Sequence, residues 1–315
     1  MATTTNISTS YVGEHKGKII SAALLAGNTL GSQAITFRPN VKFQEVVRRL
    51  ETDGIVKDST CDFTDTSTIS SVERFLTPKE LQVNLELCKK DWVDDWAGVQ
   101  MGYSAFDNMP KSIQDYIIQY VAAKVAQTTE TSIWQGADGA GDFDGFETLL
   151  SVDADLPASQ ELAGTTVTAA NVIDELGDVV DAIPSSLYGN PDLCIYVSQN
   201  VFRAYKRALG GFGASGLGAN GYMNKGNNQD INVEFFDGVK IFMANGLSDN
   251  TMIAGTKDNF WFGTGLMSDH TECRILDMSD LDGSRNFRVI MRYSAGVQYG
   301  VVEDIVTYGI TNSAN

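Results

Sequence analysis

Gly211, Gly213 and Gly216 spell G-x-G-x-x-G, the pattern that brings a backbone close to a pyrophosphate when it follows a strand and opens a helix. Here it follows a helical stretch ending at Leu209 and opens a run rich in Gly and Asn, so it reads as a polar, flexible loop. Asp138, Asp142 and Asp144, ahead of Gly145, offer oxygen ligands for calcium, but Ala140 stands two before Asp142 and no Glu falls at the closing position. A turn that terminates a helix accounts for them. His270 and Cys273 are spaced as two metal ligands, yet zinc needs four donors and the only other histidine is His15. The same scarcity leaves no Ser–His or Cys–His pair for nucleophilic catalysis. Asp94 and Asp95, beside Trp96, point apart on a helix and do not make the facing carboxylates of a glycosidase. Trp92, Trp96, Trp134 and Trp261 could stack bases or sugars, but no basic groove accompanies them, so core or interface packing is the better use. The expectation is a chain with no catalytic, cofactor or metal site.

The chain of 315 residues carries 40 acidic and 23 basic side chains, a formal charge of −17. Such a surface repels nucleic acid and anionic membranes. The length suffices to bury roughly three quarters of the unfolded surface, here in two intertwined lobes. Cys61, Cys88, Cys194 and Cys273 lack any C-x-x-C spacing and read as reduced thiols. The opening MATTTNISTSYVGEHKGK holds no apolar run, and no later stretch approaches membrane-spanning length, so a soluble protein without a signal peptide is expected.

The stretch 110–135, PKSIQDYIIQYVAAKVAQTTETSIWQ, organises the rest. Pro110 suits a first helical turn, Asp107 or Asn108 can cap it, and Gly136 ends it. Ile113, Ile117, Val121 and Val125 recur at helical spacing, with Tyr116, Tyr120 and Ala123 widening the stripe and Trp134 in the last turn. This predicts a spine of about 40 Å with a broad buried face. Ahead of it lies a polar arm, then 36–88 reads as one extended two-stranded excursion with a polar tip and no core of its own. KKDWVDDW reads as a short amphipathic helix. After it, a helix over 169–183 capped by Thr168, a buried strand LCIYV, and a helix QNVFRAYKRAL capped by Ser198 lead to a polar loop over 210–228. INVEFF, VKIFMA and TMIAG follow as strands, with Asp237-Gly238 and Asn245-Gly246 as the two hairpin connections. TECRILDM and NFRVIMRYSAGVQYGVV then form a ribbon of two long strands returning beside the spine. The fold class is α+β.

That order, with ETSIWQG ending the spine, GFETLLS after it, GVKIFMANGL and NTMIAGTKDNFWFG, and then RVIMRYSAGVQYG, resembles the major capsid protein of tailed bacteriophages over nearly the whole chain. The resemblance implies an N-terminal arm over 1–33, an extended loop over 34–88, and a peripheral domain over 89–144 that contains the spine. An axial domain over 145–265 and a return ribbon with the final strand over 266–315 complete it. It implies a structural subunit, not an enzyme, that self-assembles through pentamers and hexamers into an icosahedral head shell around double-stranded DNA, held without sequence-specific binding. Interface residues would be Phe63, Ile69, Val72 and Phe75 in the extended loop and Phe212 and Tyr222 in the axial loop, with Ile113, Ile117, Val121, Val125 and Trp134 as spine core. Expected partners are further copies of itself, a separate scaffolding protein, a portal and decoration proteins, with no membrane. The location would be the virion capsid, assembled in the bacterial cytoplasm. The same fold in encapsulin nanocompartments implies an alternative, a shell around a protein cargo. A soluble α+β carbohydrate-active enzyme is the alternative from another class.

Overall fold

The computed structural model describes residues 28–59, 61, 68–88, 111–139, 141–210, 233–266, 273–279 and 283–314. The arm up to residue 27, the helix read at KKDWVDDW, the caps Asp107 and Asn108, Gly211, Gly213, Gly216 and His270 lie outside them, as do Phe63, Phe212 and Tyr222. The elements run β1 (Thr36–Arg38), β2 (Glu45–Asp53), β3 (Thr68–Leu76) and β4 (Lys79–Cys88), then α1 (Lys111–Gln135) and α2 (Phe146–Leu150). Next come β5 (Glu161–Leu162), α3 (Val172–Asp181), β6 (Leu193–Val197), α4 (Gln199–Gly210), β7 (Val233–Phe236), β8 (Val239–Met243) and β9 (Met252–Thr256). The chain closes with β10 (Phe260–Gly263), β11 (Arg274–Asp277), β12 (Asn286–Tyr299) and β13 (Val306–Tyr308).

The first sheet is built on β12. One edge pairs antiparallel with β4 from Asn286↔Cys88 to Ala295↔Lys79. The other edge pairs with β11 and then with β10, and β10 carries β1 in parallel. Strict alternation along β12 buries Phe287, Val289, Met291, Tyr293 and Ala295 on one face, the period-two pattern of a half-covered strand. The cover is α1: Ile117 and Val121 pack with Phe287 and Val289. The ribbon therefore does lie beside the spine, although β11 is only 4 residues long.

The buried face of the spine is narrower than expected. Ile117 and Val121 are buried and Val125 is partly buried, but Tyr120 is 44% exposed. A helix lying on one sheet needs only one stripe over its middle turns. Its last turn is different, with Ile133 and Trp134 fully buried at the junction of both sheets. Ile113 lies within α1. Gly136 follows the helix for a steric reason, since a Cβ there would stand 2.1 Å from the Phe143 carbonyl oxygen.

The second sheet has the order β5-β13-β9-β6-β8-β7. All residues of β6 are buried. Leu193, Ile195 and Val197 face a core shared with α3 and α4, while Cys194 and Tyr196 face the core that holds Trp134. Burial pushes the Cys194 thiol up to about 12, and all the described cysteines are free. The β7–β8 hairpin forms as expected, with Asp237 and Gly238 at φ 45 and 80 as a primed turn requires. The second expected hairpin does not form. β6 lies between β8 and β9, parallel to the first and antiparallel to the second, because the backbone groups of LCIYV, buried on both faces, have no water and must pair along both edges.

Three further expectations are corrected. The excursion is only the β2–β3 hairpin, and β4 belongs to the first sheet because Leu81, Val83, Leu85 and Leu87 alternate toward the cores beside α1. α3 starts at Val172, after a turn in which Asn171 Oδ1 accepts the Thr168 N–H at 2.7 Å. At α4 the Val201 N–H goes to Asn200 Oδ1 at 2.9 Å, and Ser198 Oγ donates to that same oxygen at 2.6 Å.

Replacing Ile117 with Asp would leave an unpaired carboxylate between α1 and β12. A loss of about 3 kcal/mol or more is expected, read as a lowered denaturation midpoint. Gly136→Ala should also destabilise, with the Phe143 carbonyl forced to move.

Candidate assembly interface

β2 and β3 pair antiparallel from Glu45↔Leu76 to Asp53↔Thr68, forming a two-stranded sheet of their own. Alternation divides its side chains between two faces. On one face Val46 stands opposite Phe75, Arg48 opposite Glu73, Leu50 opposite Ser71 and Thr52 opposite Ile69. The other face carries Val47, Arg49, Val72, Arg74 and Leu76.

The two faces differ in what covers them. Leu76 is fully buried with Val41 and Trp261, and Val47 packs against that cluster. Arg74 reaches Asp153 at 2.8 Å and Asp155 at 3.6 Å, and its guanidinium lies 4.8 Å from the centre of the Tyr299 ring. Arg49 reaches Glu303 at 2.5 Å. This face roots the hairpin on the body. On the opposite face Leu50 and Ile69 are each 71% exposed, Phe75 46% and Val46 44%, around an Arg48–Glu73 pair at 2.8 Å. Apolar side chains so placed gain nothing until something covers them.

The expected loop residues therefore separate. Ile69 and Phe75 share the outward face, whereas Val72, 38% exposed, is on the face that carries Arg49 and Arg74. Val46 and Leu50 complete the outward face and were not among the expected interface residues. Their four-residue spacing in EVVRRLETD is a period-two signal masked by the adjacent Val47. Arg74 could not be found from the sequence, because its partners lie at positions 153, 155 and 299.

The hairpin root is a small charged network. Tyr299 Oη donates to Asp153 Oδ2 at 2.6 Å. Burial alone would raise the Asp153 carboxyl, but the bonds from Tyr299 and Arg74 outweigh it and hold its pKa below the usual carboxylate value. Burial and the neighbouring Asp153 carboxylate drive the Tyr299 phenol far up, so it remains a donor.

A second anchor fixes where the chain leaves residue 28. Thr29 donates to Glu130 from its backbone N–H at 3.2 Å and from its hydroxyl, and Trp134 Nε1 donates to Thr29 Oγ1 at 3.0 Å. Asn28 Nδ2 donates to the Met243 carbonyl at 2.5 Å. Burial raises the Glu130 carboxyl against these bonds. Residues 28 and 29 are thus held by the spine and the second sheet.

Residues weighed for chemistry take structural places. Lys79 Nζ pairs with Asp138 at 2.6 Å, Asp144 Oδ1 accepts the Asp138 N–H at 2.7 Å, and Gly139 bridges Asp142. Trp134 and Trp261 are buried. Among the described residues no group of three His, Cys, Asp or Glu side chains could hold a metal ion, and no helix is long and apolar enough to cross a membrane.

No protein-family model matches the chain, and no curated protein matches its sequence. Solved structures do. The capsid of a native GTA particle is 15% identical with a TM-score of 0.65, over 98% of this chain and 100% of that one. The Microbacterium phage Oxtober96 structure is 13% identical with a TM-score of 0.58, over 96% of each chain. The capsid of the cyanophage P-SCSP1u is 12% identical with a TM-score of 0.55, over 94% and 92%. At these identities the likeness is one of fold: the chain has the α+β fold of tailed-phage capsid proteins.

Because the folded Asp153 pKa is depressed, its contribution is present above the ordinary carboxylate range of about 4 and is lost as pH falls through the lowered value. Amide exchange in β3 near Arg74 should therefore accelerate on acidification. In Asp153→Asn the hairpin root should exchange faster already at neutral pH and lose that acid step.

Proposed function

We propose that this chain is the major capsid protein of a tailed phage, a structural subunit that self-assembles into an icosahedral head shell enclosing double-stranded DNA. One observation carries the reading. A chain with a capsid fold extends a hairpin whose outward face, Val46, Leu50, Ile69 and Phe75, is apolar and exposed. A second copy covering that face would bury it, and would also pair or shield strand edges that no described strand pairs. Side chains such as these act as anchors at interfaces, and the subunit needs no catalytic group to do so.

In this reading the first sheet and α1 form the peripheral part, and the second sheet with α3 and α4 forms the axial part. Phe212 and Tyr222 would contribute where copies meet in pentameric and hexameric rings, which are heterologous contacts that close by rotation. A scaffolding protein, portal and decoration proteins complete the assembly in the bacterial cytoplasm. The charge of −17 suits a wall that encloses DNA without gripping it.

The test is electron microscopy with size-exclusion chromatography of the purified protein, alone and in lysate of infected cells. Hollow particles or five- and six-membered rings are expected, and a monomer under both conditions overturns the reading. Leu50→Asp/Ile69→Asp should melt within a few degrees of the parent, since both positions are exposed, yet fail to form shells.

A further inference from the structure

The first sheet has a second face, opposite α1. Along β12 it presents Arg288, Ile290, Arg292 and Ser294, flanked by Glu80, Gln82, Asn84 and Glu86 of β4 and by Arg274 and Leu276 of β11. None of the described residues covers it. Arg274, Leu276, Arg288 and Arg292 are exposed, as are all four of the β4 residues. Three arginines meet two glutamates here, in a chain whose acids outnumber its bases 40 to 23. Among the described residues the balance of charge on this face is therefore opposite in sign to that of the molecule.

The arrangement is ordered by the strand. Arg288 and Arg292 flank Ile290 on the same face of β12, about 13 Å apart at the usual strand rise. Arg274 stands directly opposite Ile290 on β11, and Leu276 opposite Arg288. Among the described residues Arg288 takes a single exposed ion pair, with Glu86 at 3.5 Å, which solvent leaves weak. Arg292 has no ion pair among the described residues. Arginine beside apolar carbon is the composition of protein contact surfaces, and forked guanidiniums match carboxylates geometrically.

We propose that this sheet face is a docking surface for an acidic segment of another protein, one that sets carboxylates on Arg288 and Arg292 around an apolar side chain on Ile290. A polypeptide is favoured over nucleic acid for two reasons. Glu80 and Glu86 would repel a continuous phosphate backbone, whereas a peptide can place acids over the arginines and amides or hydroxyls over Gln82 and Asn84. The apolar Ile290 and Leu276 add contact area that phosphate would not use. The inference does not depend on the shell reading, because it concerns a surface of the single folded chain.

The test uses the full-length protein with two labelled probes, a glutamate–leucine copolymer of about 50 residues and a DNA duplex of about 20 base pairs, followed by fluorescence anisotropy at low and at physiological salt. Wild type should bind the copolymer more tightly than DNA. Arg288→Glu/Arg292→Glu should weaken it at least tenfold, while Arg203→Glu/Arg207→Glu, exposed on α4, should not. Arg292→Gln, which disturbs no ion pair of the described residues, should weaken binding in the same direction and keeps the test readable if the double variant fails to fold. Tighter binding of DNA with the same arginine dependence would overturn the proposal in favour of nucleic acid. No binding of the copolymer, or binding indifferent to Arg292, would overturn it outright.

Discussion

Trp134 is the point on which the two sheets depend. It ends α1 fully buried, with its ring centroid 5.4 Å from Phe146 of α2 and 5.2 Å from Tyr196 of β6. Phe260 of β10 closes the cluster, 5.1 Å from Phe146 and 5.3 Å from Tyr196. Tilted and edge-on aromatic contacts of this kind add directional preference to the area they bury. Here they bind the spine, the first sheet and the second sheet at one place. The chain around them is correspondingly intolerant of bulk: a Cβ on Gly246 would stand 2.1 Å from the Glu130 carbonyl oxygen and 2.7 Å from the Trp134 ring.

From that junction outward, order is carried by β12. Its 14 residues are wedged between β4 on one side and β11 then β10 on the other, so one strand spans the spine contact, the sheet centre and the root of the hairpin at Tyr299. The β2–β3 hairpin is held differently. Its root is pinned by Leu76 and by Arg74 against Asp153 and Tyr299, while none of the described residues covers its outward face. A rigid root with an uncovered apolar blade is a geometry suited to reaching another subunit, because the blade is positioned before any contact is made.

The charge of the molecule is distributed with comparable economy. Arginines appear where they hold the hairpin to the body, at Arg49 and Arg74, and again on the outer face of the first sheet. Where an acid is buried, as at Glu130, hydroxyl and backbone donors replace a cation. Burial outweighs those donors and leaves the Glu130 pKa raised, so mild acid favours the fold there, which is the opposite of Asp153.

By itself the sequence determined the local elements: the spine over 110–135, the buried strand LCIYV, the Asp237-Gly238 turn and the period-two pattern of RVIMRYSAGVQYG. These rest on periodicity and turn chemistry, which act over a few residues and so are visible in a single chain. Ile117, Val121 and Trp134 were legible as core for the same reason, and Ile69 and Phe75 as candidates for contact because no neighbouring pattern could bury them. Tertiary structure alone decided the pairings. Whether β8 meets β9 or β6 depends on which edges remain open after LCIYV is buried, and whether 79–88 extends the hairpin or joins β12 depends on α1 offering a surface. It also decided that Val72 turns from Ile69 and Phe75, and that Arg74 finds Asp153, since alternation assigns a residue to one of two faces but only packing decides which face meets the body.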